Sequence, residues 1–452
     1  MSKSHLNVLK FGGTSVKDAS AIKQVANIVS SSNEKQIVVV SAHAGVTNLL
    51  VDICDGQRDV IKGLSEKFSN LHKEIAEELG ILDKVIDLID NEVEEINILT
   101  NYLPLSAQLK DVIMTKGELF SSTIIYNYFL KCKSSINFID SKRIIKTDSN
   151  FNNANINIES TTNSVKNTFN ELLKSSDNVI MGGFISSDMQ DRPTTLGRGG
   201  SDYTAAIVAS ILDANELQIW TDVSGILTSD PRVINNVKKV RKLSYSEASE
   251  LSFFGAKVLH PSTIHPAVKS GIPVRVKNTF NPDDEGTVVL SEKSNIEMIK
   301  AIAFRKDVVT ITISSNRMLG AVGFMSKVFQ VFEELQIPVD IVTTSEVSIS
   351  VTVNKIEYDT NLKDRLSLLG EVVVTKDNAI IAAIGEGIKQ TAGIASRLFG
   401  ALKGININMV SVGASEVNLS IVVKEADLVQ AVSLLHDEFF NYELNKEFFE
   451  EI

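Results

Sequence analysis

Up to roughly Leu290, short apolar runs alternate with segments whose apolar residues recur at helical spacing. LNVLKF (Leu6–Phe11) reads as a strand and Gly12-Gly13-Thr14-Ser15 as the turn out of it. Asp18–Ser30 carries the spacing of a helix. QIVVVSA (Gln36–Ala42) is an unbroken, β-branched run, which suits a strand covered on both faces. Asn178–Phe184, Glu216–Thr221 and Ile272–Lys277 read as further strands, with Thr204–Ile211 and Ser246–Val258 among the helices between them. This alternation predicts an α/β domain with a mostly parallel sheet. Leu64–Leu99 is a long amphipathic stretch rich in Glu and Lys, read as two helices inserted against the sheet. Asn150–Asn170, rich in Asn, Ser and Thr, includes a surface loop, and PDDEG (Pro282–Gly286) is turn chemistry near the end of the first domain.

Beyond that point the pattern repeats. Displaced by 70 residues, GFMSKVFQVFEELQIPVDIVTTSEVSISV (from Gly323) lies over GIASRLFGALKGININMVSVGASEVNLSI (from Gly393) without a gap. Gly323 falls on Gly393, Ser326 on Ser396, Phe329 on Phe399, Ile337 on Ile407, and Ser345-Glu346-Val347 on Ser415-Glu416-Val417. Each copy reads strand, helix, strand, strand, helix, strand, a ferredoxin-like βαββαβ unit, and the two copies read as a tandem. Paired small domains make interfaces, and interfaces hold ligands.

At 452 residues the chain is too long for one core, so two or three domains are expected. A net charge of −11 and a pI near 5.2 argue against a general nucleic-acid binder. They leave room for a small anionic ligand at a locally positive site. Two cysteines, Cys54 and Cys132, suggest neither a zinc site nor a disulfide scaffold. MSKSHLNVLKFGG holds no signal-peptide run, and no stretch approaches the ~18 apolar residues of a membrane span. A reducing, cytoplasmic location without a membrane partner is expected.

Neither GxxxxGK[ST] nor HExxH occurs, and Gly385-Glu386-Gly387 lacks the third glycine of a dinucleotide motif and reads as a turn. The informative segments follow strands. Lys10 stands at a strand end before Gly12, Gly13, Thr14 and Ser15. The glycines let backbone N–H groups approach phosphate oxygens and the lysine adds a mobile charge, although a plain βα turn has the same form. Ligands of such sheets bind beyond the carboxyl ends of the strands, which favours the phosphate reading. Ser41-Ala-His43-Ala-Gly45-Val-Thr47 suits a small polar ligand; His43, with no partner evident, reads as a bland or supporting residue and not as a base. Glu118, after Lys116-Gly117 at a helix start, either takes a ligand's ammonium group or is an acid favoured in a first helical turn.

In TLGRGGSDYTAA (Thr195–Ala206), Arg198 has the chemistry for a bidentate carboxylate contact, and Gly199 and Gly200 free the backbone. Ser201 or Asp202 caps the following helix or orients a lysine; a tight turn with a good cap is the alternative. WTDVSGILTSDPR (Trp220–Arg232) is a strand and a polar loop ending in Arg232. FGAKVLHP (Phe254–Pro261) places a second lysine, Lys257, near a helix end. Two lysines, an arginine, glycine-rich turns and few acids suit phosphoryl transfer, which requires positioning and neutralising charge on a loose transition state. They suit proton abstraction less well, because no carboxylate pair or strong catalytic histidine is apparent.

Six motifs in order, KFGGTSV from Lys10, SAHAGVT from Ser41, GE at Gly117, TLGRGGSDYTAA, WTDVSGILTSDPR and FGAKVLHP, resemble those of the aspartate kinases of the amino acid kinase family. The resemblance covers nearly the whole chain, and the repeat resembles paired ACT regulatory domains of the monofunctional, lysine-sensitive type. It implies an amino acid kinase fold, a mostly parallel sheet sandwiched by helices, over residues 1–292. Two ACT domains would follow at 306–376 and 377–448, the second completed by a strand from 296–305, or the first inserted into the second. The implied reaction is ATP-dependent phosphorylation of the side-chain carboxylate of L-aspartate, the first step of lysine, threonine and methionine synthesis. Mg²⁺ would bridge the ATP phosphates, with no metal site borne by the protein alone.

By motif matching, Lys10 would stabilise the transferring phosphoryl group, Asp202 would organise the lysines and Lys257 would contact ATP. Ser41, Thr47, Glu118, Arg198, Gly199 and Ser201 would hold aspartate, with Arg198 on its α-carboxylate and Glu118 near its ammonium group. Gly12, Gly13, Thr14, Ser15, Thr221, Asp222, Leu227, Arg232 and Val258 would line the nucleotide site with Lys10 and Lys257. Leu227 departs from the tyrosine many relatives carry there. Met318, Ala321, Phe324, Met325, Val339, Asp340, Ser345 and Glu346 resemble an effector pocket for L-lysine. Asp340 and Glu346 would supply negative charge for a diamino acid, the alternative being two exposed strand-end acids. A homodimer through the ACT domains, or a tetramer, is implied. The alternatives are a kinase for another acidic amino acid such as glutamate, or a non-enzymatic amino-acid sensor.

Overall fold

The computed structural model describes residues 6–255, 259–291, 298–320, 322–441 and 445–451. The chain divides into two units, residues 1–226 with 258–291, and residues 227–257 with 292–452.

In the first unit the apolar runs become a sheet. Its strands are β1 (Leu6–Phe11), β2 (Lys35–Val40), β3 (Ile136–Phe138), β4 (Asn178–Gly182), β5 (Glu216–Thr221), β6 (Val274–Asn278) and β7 (Thr287–Leu290). They lie in the order β7-β6-β5-β1-β2-β4-β3. All neighbours are parallel except β7, which runs antiparallel to β6. β1 is central, with Phe11 paired to Val40 on one side and Trp220 on the other. Five consecutive residues of β2, Gln36–Val40, are buried, as a parallel strand covered on both faces requires.

The helices follow from caps and apolar faces. α1 (Ala19–Ser30) is capped by Asp18, whose carboxylate accepts from the Ala21 N–H at 2.8 Å. α2 (Val46–Asp55) follows, and the amphipathic stretch forms α3 (Arg58–Glu78) and α4 (Leu82–Leu99). Lys116, buried at the start of α6 (Lys116–Lys131), pairs with Glu92 and Glu95 of α4. α5 (Ala107–Met114), α6 (Lys116–Lys131), α7 (Ile158–Ser175) and α8 (Gly200–Leu212) complete the helices used below.

Residues 150–170 include the expected loop, and helix boundaries differ from expectation at Ser246–Val258, where the helix is Tyr245–Phe253, and at Thr204. The polar stretch 150–170 is loop only as far as Asn157, whose side chain caps α7 by accepting from the Ser160 N–H at 3.0 Å. Thr161, Val165 and Phe169 then bury one helical face despite polar neighbours. The helix expected from Thr204 starts at Gly200, because the glycine pair lets the chain turn into it.

The second unit contains a six-stranded antiparallel sheet, ordered Val342–Thr344, Ser348–Asn354, Met298–Ser314, Glu371–Glu386, Asn418–Lys424, Ile407–Ser411. Its two long central strands pair along their length: Met298–Arg305 with Ile380–Glu386, and Thr310–Ser314 with Glu371–Thr375. Two self-contained successive copies would need the last strand of the second copy to come after the helix Leu428–Phe440. Instead Phe449–Glu451 pairs with Lys238–Val240, and Met298–Arg305 takes the place beside Ile380–Glu386. The copies are thus interleaved. A repeat aligns the helices and hairpins, but it does not say which segment fills a strand position.

Segment 227–257 packs within this unit. Glu247, in the capping box of the helix Tyr245–Phe253, is fully buried with Lys300, 2.9 Å away. Its other oxygen accepts from the Glu386 N–H at 2.9 Å. These bonds tie the helix to both long strands. No described helix is long and apolar enough to cross a membrane.

Candidate active site

β1, β2, β4 and β5 end at one edge of the sheet, and the loops leaving them are hydrogen-bonded to one another. The Gly12 N–H donates to the Trp220 carbonyl (3.0 Å), the Ser41 N–H to Phe11 (3.1 Å) and the Gly183 N–H to Val40 (2.8 Å). Beyond this edge lies a cleft of about 680 Å³ within the first unit. A Cβ on Gly13 would stand 3.0 Å from the Ala42 carbonyl oxygen, so a glycine lets the first loop lie against the second. The Ser121 hydroxyl of α6 donates to the Ser41 carbonyl at 2.7 Å and holds the second loop from behind.

Lys10 and Asp202 meet in the cleft. The Lys10 Nζ is 2.6 Å from the Asp202 carboxylate, with the side chains only 11% and 17% exposed. Asp202 lies in the first turn of α8, where a carboxylate is favoured by the helix N-terminus. The pair anchors a cation beside the free N–H groups of that turn, an arrangement suited to anionic oxygens.

Ser41, Thr47, Glu118, Arg198, Gly199 and Ser201 all line the same cleft. Arg198 is exposed on the loop before α8 and makes no ion pair among the described residues. The loop depends on Gly199, at φ 73°, where a Cβ would also stand 2.6 Å from the Thr263 methyl group. Glu118 is buried on α6. Burial pushes its carboxyl up to about 8, although backbone N–H groups and the Lys10 charge favour the ionised form. A ligand cation would therefore find an acid that gains by ionising.

His43 also lines the cleft, but its Nδ1 is 2.5 Å from the Val16 carbonyl and burial lowers its pKa to about 4. This fits a supporting residue better than a base.

The residues matched to a nucleotide site are more dispersed. Gly13 lines the cleft; Gly12, Thr14 and Ser15 do not. Ser15 is fully buried: its hydroxyl donates to the Trp220 carbonyl at 3.0 Å and accepts from the Thr279 hydroxyl at 2.7 Å. Its side chain therefore straps two strand ends. Thr221 ends β5, one residue beyond the Phe11–Trp220 pair, and its hydroxyl donates to the Asp222 carboxylate at 3.1 Å. Leu227 and Arg232 belong to the second unit, where the Arg232 guanidinium pairs with Asp230 at 2.6 Å. Lys257 and Val258 lie outside the described residues, as does Ala321.

In the second unit, Met318 and Phe324 are buried in an apolar core with Val328 and Ile349, so their side chains are taken up by packing. Met325, Ser345 and Glu346 are exposed and Val339 is half-buried. Asp340 is not an exposed strand-end acid: its side chain is buried and the Arg305 Nη1 donates to it at 2.8 Å. Burial raises the Asp340 pKa, opposed by the Arg305 charge.

Sequence reasoning missed Arg305 and Asp111. Asp111 is completely buried on α5, and its carboxylate accepts three hydrogen bonds from segments that line the cleft. The available signal was an acid at a helical position beside buried Ile113.

The description "Amino acid kinase family" matches residues 5–278, and "ACT domain" matches 311–363 and 381–439. The chain is 36% identical to the lysine-sensitive aspartokinase 3 of Escherichia coli strain K12, over 97% of this chain and 100% of that protein. A crystal structure of E. coli aspartokinase III with lysine and aspartate, a T-state, superposes with a TM-score of 0.86 at 36% identity, covering 97% of this chain and 100% of that one. An R-state of the E. coli enzyme with aspartate and ADP gives a TM-score of 0.81 at 36% identity, covering 96% and 100%.

Proposed function

The chain belongs to the amino acid kinase family as an aspartokinase, and on that premise we propose that it transfers the γ-phosphoryl group of ATP to the side-chain carboxylate of L-aspartate. The products are 4-phospho-L-aspartate and ADP. The observation that carries the reading is the buried Lys10–Asp202 pair, 2.6 Å apart, in the cleft that Arg198 and Glu118 also line.

The chemistry needs little else. The attacking oxygen belongs to a carboxylate already ionised at neutral pH, so no general base is required. It forms the new bond to phosphorus while the bond to the ADP oxygen breaks and its electron pair leaves with ADP. Lys10, held by Asp202, neutralises charge on the phosphoryl oxygens as they separate from ADP. Arg198 holds the α-carboxylate and Glu118 the ammonium group, leaving the side-chain carboxylate free to attack. Ser41, Thr47, Gly199 and Ser201 complete the aspartate side, while Gly12, Gly13, Thr14, Ser15, Thr221, Asp222, Leu227, Arg232, Lys257 and Val258 serve the nucleotide.

Among the described residues, no group of three or more His, Cys, Asp or Glu side chains could hold a metal ion. Mg²⁺ would enter on the ATP phosphates, whose oxygens are the hard donors it prefers. Residues 1–292 form the catalytic part of this proposal, and 306–376 and 377–448 its two ACT domains. L-Lysine is the proposed inhibitor, acting near Met318, Ala321, Val339, Asp340, Ser345 and Glu346. A homodimer through the ACT domains, in the cytoplasm, completes the proposal.

ADP release measured with aspartate and with glutamate tests the substrate. Turnover with aspartate is expected; turnover with glutamate alone would replace it. Lys10→Ala is expected to lower kcat by about a thousandfold with little change in melting temperature, because the lost charge acts on the transition state. Near-normal turnover in that variant would remove Lys10 from its role.

A further inference from the structure

Asp111 is a buried carboxylate with no cation beside it among the described residues, which is costly unless hydrogen bonds compensate. Three donors do so. One oxygen accepts from the Asn152 N–H at 2.9 Å and the Thr195 N–H at 3.1 Å; the other accepts from the Thr195 hydroxyl at 2.6 Å. The donors come from two segments far apart in sequence. Asn152 sits at φ 70°, a left-handed conformation uncommon for a residue with a side chain. Thr195 is the last residue before the Leu196–Gly200 turn that carries Arg198. The two segments also touch directly, through the Ala154 N–H donating to the Thr195 carbonyl at 2.9 Å. Asn152, Thr195 and Arg198 all line the cleft.

We propose that Asp111 is a positioning residue for the amino-acid substrate: by clamping Asn152 to Thr195 it sets the wall from which Arg198 reaches the substrate carboxylate. The proposal rests on the aspartokinase reading and adds to it a residue that touches neither substrate. Among the described residues, none of the clamp's hydrogen bonds involves the nucleotide residues of the Gly12–Ser15 turn or Thr221 and Asp222. Loosening it therefore acts on one substrate and not the other. A carboxylate is not essential to the geometry. Asparagine supplies one oxygen for the two backbone N–H groups, and its amide N–H can donate to the Thr195 hydroxyl.

The test is steady-state kinetics of the full chain, varying aspartate and ATP separately. Asp111→Ala is expected to raise KM for aspartate about tenfold or more, with KM for ATP and kcat within about threefold of wild type. Asp111→Asn is expected to restore most of the loss. Thr195→Val, which keeps both backbone donors and removes only the hydroxyl, is expected to raise KM for aspartate severalfold, and it decides the matter if Asp111→Ala does not fold. An unchanged KM for aspartate in the folded variants, or equal changes in both KM values, would overturn the proposal while leaving wild-type aspartokinase activity in place. Absence of aspartate turnover in the wild type would overturn the functional reading and this proposal with it.

Discussion

Glu118 shows how one residue's surroundings decide its chemistry. Burial pushes its carboxyl up to about 8, which favours the protonated acid at pH 7. An ammonium group placed beside it favours the carboxylate, and the proton must leave. Aspartate binding at pH 7 is therefore expected to release a fraction of a proton. Calorimetric titration in two buffers of different ionisation enthalpy reads this directly, and Glu118→Gln should abolish it. Proton-neutral binding by the wild type would contradict the assigned role. The sequence exposed Glu118, Arg198, Lys10 and Asp202 because each adjoins glycines at a strand end or helix start. It did not expose Asp111 or Arg305, since an isolated charge gains meaning only from a partner distant in the chain. The strap made by Ser15 was hidden for the same reason: its motif was visible, but its partners Trp220 and Thr279 were not.

Between elements, the loop after β2 and helix α3 meet through two buried histidines, His43 and His72, with ring centroids 5.2 Å apart. Burial lowers the pKa of both, to about 4 for His43. The unfolded chain binds these protons near pH 6.5 and the folded chain does not, so stability is full above that pH and falls as pH drops toward 4. The expected slope approaches ~1.4 kcal/mol per pH unit for each histidine in that window. Urea midpoints of wild type and His72→Phe at pH 7 and pH 5 test this: the variant should lose less stability on acidification, and an equal loss would refute it. In the sheet of the second unit, Arg305 already occupies Asp340, so a diamino acid would have to compete with a guanidinium. Asp340→Ala is expected to raise the lysine concentration for half-inhibition about tenfold or more while sparing uninhibited activity. Unchanged lysine sensitivity would exclude Asp340 from the effector site. The periodicities predicted most elements here, α3, α4 and the strands of the parallel sheet among them. They did not predict α7 over a polar stretch, because its buried face needs only Thr161, Val165 and Phe169.

At the scale of the molecule, the parallel sheet brings Lys10, Ser41 and the Arg198 loop to one edge, and the interleaved repeat builds another sheet, from whose long strand Arg305 pairs with Asp340. Segment 227–257, which carries Leu227 and Arg232, belongs with the second of these units. Its helix is tied there by the buried Glu247–Lys300 pair. The repeat was legible as a displacement of the sequence on itself, whereas the strand from 296–305 was implied only by the family resemblance, because its pairing is three-dimensional. The most direct test of an aspartokinase under lysine control is ATP- and Mg²⁺-dependent formation of aspartyl phosphate, trapped as the hydroxamate, with and without L-lysine. Hydroxamate that forms from aspartate and is suppressed by lysine is the expected result. A folded protein that forms none from aspartate would contradict the proposed reaction.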